Sequence, residues 1–341
     1  MNLSKKGGRN RPPFLFLQHT TQNFDPVAIW SKFAELYRKQ NQNMKALILG
    51  GGSLKGAFQV GAIQAVLESG FEPDMIYGNS VGALNASFLV HEATKQQIEQ
   101  KKTDWHSASR KLLEFWVKNI TNPTDIATQR SRLTLGMDTF MSRFDGLLDP
   151  TPLHSLIRKY LDEFILRNST IKLKVGTVEV TKGDMVYATP QHEDFINYVL
   201  ASSALPMLMP AVHIKDQPKR AFLDGGLREV APLKVALHDG ATDIVCIACH
   251  AEQIYDEPFN YRNFFKLSER VKDITVNQLV NSDISWAQNY IEKENLRGKP
   301  LKMKVIRPFE PLKLDMLSFS SDDIVRLILE GFKIGYDAVE K

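Results

Sequence analysis

The chain of 341 residues has only two cysteines, Cys246 and Cys249. They sit at the apolar run 244–248, where the two-residue period of a strand points positions i and i+3 to opposite faces. That spacing argues against both a disulfide and a zinc site, and for plain core cysteines. Few cysteines fit a reducing compartment, although a disulfide-free exported protein would look the same. No window approaches the roughly 20 apolar residues that a spanning helix needs, so any membrane contact is expected to be peripheral. Charge of one sign is also in short supply. Lys and Arg exceed Asp and Glu by only four, which excludes the strong basic excess of a nucleic-acid binder and leaves a weak attraction to anionic membranes. The N-terminus carries Lys5, Lys6, Arg9 and Arg11, but Pro12 and Pro13 follow, and the apolar stretch 14–17 is too short for a secretory core. It reads as a flexible tail, and the expected location is cytoplasmic with transient contact at a membrane surface. Internal repeats and low-complexity segments are absent, and oligomeric state is not legible in a single chain.

With 43% hydrophobic residues, the chain is long enough for one large α/β domain with a fully buried sheet. Ile29, Trp30, Phe33, Leu36 and Tyr37 recur at helical spacing and predict an amphipathic helix after the tail. Residues 45–49 are short, apolar and followed by glycines, which predicts a buried strand. A helix is expected over about 55–69, a second strand over 74–77, and a small-residue helix over 81–91. Residues 93–119 read as one charged surface helix. The stretch 120–150 mixes Pro, Gly and Thr with isolated apolar residues and is a candidate lid. Further strands are expected at 172–180, 185–189, 221–223, 242–248 and 301–306. Residues 262–297 predict one or two surface helices, and 321–339 a closing helix with Ser321 and Asp322 as N-cap residues. Strands alternating with helices in this way mean a mostly parallel sheet.

Three motifs carry chemistry. Gly78-Asn79-Ser80-Val81-Gly82 lies between a predicted strand and a predicted helix, the context that a nucleophile elbow requires. On such a turn the serine backbone is strained and its hydroxyl exposed, and the flanking glycines remove Cβ atoms that would collide with the adjoining strand and helix. Gly50-Gly51-Gly52-Ser53-Leu54-Lys55-Gly56 follows the first strand, and successive glycines there let N–H groups converge at a helix N-terminus. A phosphate-binding loop is a poorer reading. Gly56 is followed by Ala57 and Phe58 rather than by the Walker Lys-Ser/Thr, and a Rossmann fingerprint needs its third glycine one residue before Gly56. A kinase loop lacks its partner motifs. Gly51, Gly52 and Ser53 are therefore candidate oxyanion donors for attack by Ser80. Asp224-Gly225-Gly226 places a carboxylate at a strand end, where an aspartate also commonly caps a turn.

Together the three motifs resemble the patatin-like phospholipase family, whose hallmarks are a glycine-rich oxyanion loop, a G-x-S-x-G nucleophile and an Asp-Gly-Gly/Ala dyad partner. Gly61, 80–85, 201–206, Pro210 and Pro232-Leu233 also look like family positions. The resemblance covers about 45–250, and the C-terminal helix is similar to those of bacterial members. The chain departs from the bacterial pattern at Ser53, Leu54, Asn79 and Val81. The resemblance implies a three-layer α/β/α fold and hydrolysis of lipid acyl esters by Ser80 and Asp224 with neither metal nor cofactor. The implied organisation is a tail and helix over 1–43, a catalytic core over 44–250 and a helical extension with one strand over 251–341. Lys55 could assist anionic head groups, although a salt bridge accounts for it as well.

An ordinary α/β-hydrolase triad instead needs a histidine after its acid, and His238 and His250 are the two candidates beyond Asp224. A serine-dependent acyltransferase is a further alternative, but it would typically carry His where this chain has Asn79. A non-catalytic lipid-binding protein would not need both Ser80 and Asp224. Phe140, Met141, Phe144, Leu147 and Leu148 in the lid segment, with Met207, Leu208 and Met209, are candidate linings of an acyl channel.

Overall fold

Apolar residues at four successive positions, 46–49, are stable in a strand only if both of its faces are covered. Strand β1 (Lys45–Leu49) meets that condition by lying inside a sheet that has eight strands among the described residues. The structure, a computed structural model, describes residues 43–130, 146–215, 217–255 and 264–340. The tail, the 29–37 helix and the lid residues Phe140, Met141 and Phe144 lie outside the described residues.

Strands β2 (Met75–Asn79) and β9 (Asp243–Ile247) flank β1 in parallel, and β10 (Lys302–Ile306) extends the sheet parallel to β9. Beyond β2 runs the parallel β5 (Lys172–Glu179), after which the sheet turns antiparallel through β6 (Asp184–Ala188), β8 (Gln217–Asp224) and β7 (Val212–Ile214). A separate two-residue ladder joins β3 (Thr128–Gln129) to β4 (Leu148–Asp149). Side chains alternate across β1. Leu47 and Leu49 enter a core built with α1 (Gly56–Glu68), α2 (Val81–Gln100), α3 (Trp105–Asn119), α6 (Phe195–Ser202) and α9 (Ser321–Val339). Helices α4 (Thr151–Tyr160) and α5 (Glu163–Arg167) add to that layer. Ala46 and Ile48 face the opposite core, built with α7 (Leu233–His238) and α8 (Phe264–Leu296). The result is the three-layer α/β/α arrangement with a mostly parallel sheet.

The cysteines obey the strand period: Cys246 lies in the α7–α8 core and Cys249 in the opposite one, both buried and unbridged. At two helix boundaries expectation and structure differ, and local capping is the cause. The single helix expected over 93–119 is split, because Lys101 turns left-handed (φ 57°) and Asp104 caps α3 by accepting the Ser107 N–H at 3.0 Å. Helix α9 is capped by Ser320 rather than by Ser321 or Asp322, and Ser320 and Asp323 form a reciprocal capping box. Strand β7, three residues long, was not expected from the sequence pattern.

The strand layout also fixes where the site forms. Strand β2 pairs with β5 as far as Asn79 opposite Gly176, and β8 pairs with β5 from Glu179 back to Thr177, opposite Asp224. Since β6 occupies the other edge of β5 over Val175–Glu179, β2 and β8 share one edge and approach each other end to end. Residues 80 and 224 are thereby forced together at the junction.

Candidate active site

Ser80 follows β2 at once and has φ 55° and ψ −130°, a conformation that an L-residue adopts only under constraint. Its neighbours supply the constraint. A Cβ on Gly78 would stand 2.2 Å from Gly82 O, and one on Gly82 2.1 Å from Leu49 O, so Gly78 is dictated by the tightness of the turn and Gly82 by the close approach of α2 to the end of β1. The Ser80 N–H donates to Ser202 Oγ (2.8 Å), and that hydroxyl donates to Gly176 O (2.7 Å). Ser202 therefore ties the elbow to β5.

Asp224 ends β8 and is 4% exposed. Its Oδ1 accepts the Gly226 N–H at 2.7 Å, the turn-capping bond expected of an Asp-Gly-Gly sequence. Burial pushes its carboxyl up to about 6, and this is offset in part by the Ser80 hydroxyl, the Gly226 N–H and the charge of Lys272. The acid is thus a stronger base than an exposed aspartate.

The glycine loop completes the cluster. A Cβ on Gly51 would lie 3.1 Å from Ser80 Cβ, so the loop backbone is directly against the elbow. Gly50 and Gly51 donate their N–H groups to Ile247 O and Val230 O, each at 3.0 Å. Gly51 was expected among the oxyanion donors, but its N–H is spent on the backbone bond that seats the loop. The N–H groups of Gly52 and Ser53 have no acceptor among the described residues, and Ser53 holds φ 52° at the start of a short helical turn. Behind the loop runs a buried amide chain that no sequence pattern marks. Trp116 Nε1 donates to Asn85 Oδ1 (2.8 Å), Asn85 Nδ2 to Gln59 Oε1 (2.9 Å), and Gln59 Nε2 to Gly50 O (3.0 Å).

Ser80, Asp224, Gly51, Gly52, Ser53 and Lys55 line one cavity of about 430 Å³, a size typical of small-ligand sites. Its apolar walls include Leu148, Leu205, Leu208 and Met316. Met207 and Leu208 lie where the sequence placed an acyl channel, whereas Met209 packs into a small core with Leu148 and Leu205 and is not in the wall. The first turns of α8, with Leu267, Val271 and Lys272, form a side of the cavity that no sequence motif announced. A larger open groove of about 770 Å³ between α2, α3 and α4 has charged walls and no serine, threonine or cysteine.

Lys55 is salt-bridged to Asp273 at 3.2 Å. His250 also lines the cavity, but its Nδ1 is buried without a partner, and burial together with the Lys55 charge pushes its pKa down to about 3. No hydrogen bond joins its ring to Ser80 or Asp224 among the described residues. His238 packs against the Trp286 ring instead, with centroids 6.4 Å apart, and is not in the cavity wall. Asn79 donates to Glu229 O at 2.6 Å, which gives the residue before the serine a structural task.

The sequence model of the patatin-like phospholipase family matches residues 47–237, more than half of the chain. This chain belongs to the patatin-like phospholipase family. Among similar proteins is the mouse patatin-like phospholipase domain-containing protein 6, 24% identical over 64% of this chain. The neuropathy target esterase sws of Drosophila melanogaster is 33% identical over 64% of it. The matched segment spans 14% of the length of each of these relatives. Among solved structures, VipD from Legionella pneumophila is similar at a TM-score of 0.43 and 15% identity, over 88% of this chain and 67% of that one. Among the described residues, no helix is long and apolar enough to cross a membrane.

Proposed function

We propose that this family member hydrolyses carboxylic esters of lipids through a Ser80–Asp224 dyad, with the N–H groups of Gly52 and Ser53 as the oxyanion hole. The observation that carries the reading is the meeting, in one apolar cavity, of a serine on a strained strand-to-helix turn, a desolvated carboxylate and two unclaimed N–H groups. Ser80 Oγ attacks the ester carbonyl and its proton passes to the Asp224 carboxylate. The tetrahedral oxyanion is held by the two N–H donors, each worth about 3–4 kcal/mol in the transition state. Collapse expels the alcohol, which takes the proton from Asp224, and leaves an acyl-serine. Water then attacks the acyl group, gives its proton to Asp224 and releases the fatty acid. Ser80 leaves as an alkoxide and recovers the proton.

Burial is central to this chemistry. An aspartate near 4 is a poor acceptor for a serine proton, whereas one near 6 is better matched to neutral pH. The neutral His250 favours the dyad over a histidine triad, because among the described residues its Nδ1 has no hydrogen-bond partner and no carboxylate is hydrogen-bonded to its ring to orient it.

The substrate is a lipid acyl ester presented at a membrane surface, and the protein's membrane contact is peripheral. Met207, Leu227, Leu267, Val271 and Leu317 line the cavity and are also exposed, an apolar rim suited to a lipid surface. The test is hydrolysis of a p-nitrophenyl acyl ester by wild type, Ser80→Ala and Asp224→Asn. Both folded variants are expected to lose turnover, and near-wild-type activity in either one removes the dyad.

A further inference from the structure

The family match ends at residue 237, yet one side chain of α8, well beyond that limit, reaches the segment from which the site is hung. Residues 225–231 connect Asp224 to α7 and touch every part of the site. Gly226 N–H caps the Asp224 carboxylate, Glu229 O receives Asn79 beside the nucleophile, and Val230 O receives the Gly51 N–H of the glycine loop. Tyr187 OH further pins the Glu229 carboxyl. At the far end of this segment, Asp283 Oδ2 accepts two consecutive backbone N–H groups, Val230 at 2.8 Å and Ala231 at 3.0 Å.

Asp283 is itself held firmly. Val280, Ile284, Ala287 and Ile291 of α8 are buried in the core beneath the sheet, so the carboxylate is presented from the anchored part of the helix. The Val230 peptide is consequently gripped on both sides. Its N–H is bound by Asp283, and its C=O is bound by the loop that carries the Gly52 and Ser53 N–H groups. A shift of that peptide moves the oxyanion donors relative to Ser80, whereas the apolar walls formed by Leu148, Leu205, Leu208 and Met316 belong to other segments.

We infer that Asp283 is a positioning residue of this hydrolase: by clamping the Val230 and Ala231 N–H groups it sets the register of the glycine loop against the Ser80–Asp224 pair. The inference rests on the hydrolytic reading above. It adds a requirement for the C-terminal extension that the family motifs do not contain. A misplacement of donors acts on the transition state rather than on substrate binding.

The test compares wild type, Asp283→Ala, Asp283→Asn and the packing control Ile284→Val in p-nitrophenyl butyrate hydrolysis, with thermal unfolding of each protein measured alongside. Asp283→Ala is expected to lower kcat by about tenfold or more with KM within about twofold. Asp283→Asn keeps an acceptor oxygen and is expected within about threefold of wild type. Ile284→Val is expected to lower the unfolding temperature and leave kcat unchanged. Should Asp283→Ala not fold, Asp283→Glu, which carries the carboxylate one methylene too far, takes its place with the same expected loss of kcat. Wild-type kcat in the alanine or glutamate variant overturns the proposal, and so does an asparagine variant as slow as alanine. Failure of the hydrolytic reading is a different result: wild type itself then shows no turnover.

Discussion

Replacing Asp224 by Asn is expected both to remove turnover and to stabilise the protein at neutral pH. In the folded chain burial lifts the carboxyl from 3.8 to about 6, so the ionised form is disfavoured there relative to the unfolded chain. At about 1.4 kcal/mol for each tenfold change, keeping Asp224 ionised above pH 6 costs about 3 kcal/mol. The sign follows from proton counting. Between pH 4 and 6 the folded state holds a proton that the unfolded state has released, so wild-type stability falls as pH rises through that window and then levels. Asparagine has nearly the same shape, and its side-chain oxygen can still accept the Gly226 N–H. The variant should therefore match wild type at pH 4 and exceed it by about 3 kcal/mol at pH 8, roughly 5 °C in unfolding temperature for a chain of this size. Thermal unfolding at both pH values, followed by circular dichroism, is the assay. Equal stability at pH 8, or the same gain at pH 4, would refute the claim that desolvation of this carboxylate primes the site.

Three further outcomes follow from the same geometry. The kcat/KM of wild type for a soluble ester should rise with pH to a midpoint near 6 and then level, because only ionised Asp224 can take the serine proton; a midpoint near 4 would mean an exposed acid. His250→Gln should keep turnover within about threefold, since the imidazole is buried, neutral and unconnected to the dyad; loss of turnover would restore the triad. Gly61→Ala should cost about 1–3 kcal/mol in urea unfolding, because a Cβ there would lie 1.9 Å from Ile328 O across the α1–α9 contact. A change below about 0.5 kcal/mol would show that the two helices can part at little cost.

The parts of the fold written in short-range pattern were legible. Strand β1 is continuous apolar sequence ended by glycines, and the Cys246–Cys249 spacing reports the strand period directly. The elbow was legible because strand, Gly-x-Ser-x-Gly and helix follow one another directly and Gly78 is required by the backbone of Gly82 four residues on, although Gly82 itself is required by Leu49 of β1. What the sequence concealed depends on distant chain. That Gly51 spends its N–H on Val230 O is decided by a segment about 180 residues away. Asp283 looks like any polar residue of a long amphipathic helix until its partners are known. The split after Lys101 was missed because the capping preference of Asp104 competes with a helical pattern that continues through it.

The most direct test of the central claim is covalent. Wild type treated with a fluorophosphonate, digested and analysed by mass spectrometry should carry a single adduct on Ser80, and Asp224→Asn should label at least a hundredfold more slowly. Adduct on another residue, or equal labelling rates in the two proteins, would contradict it.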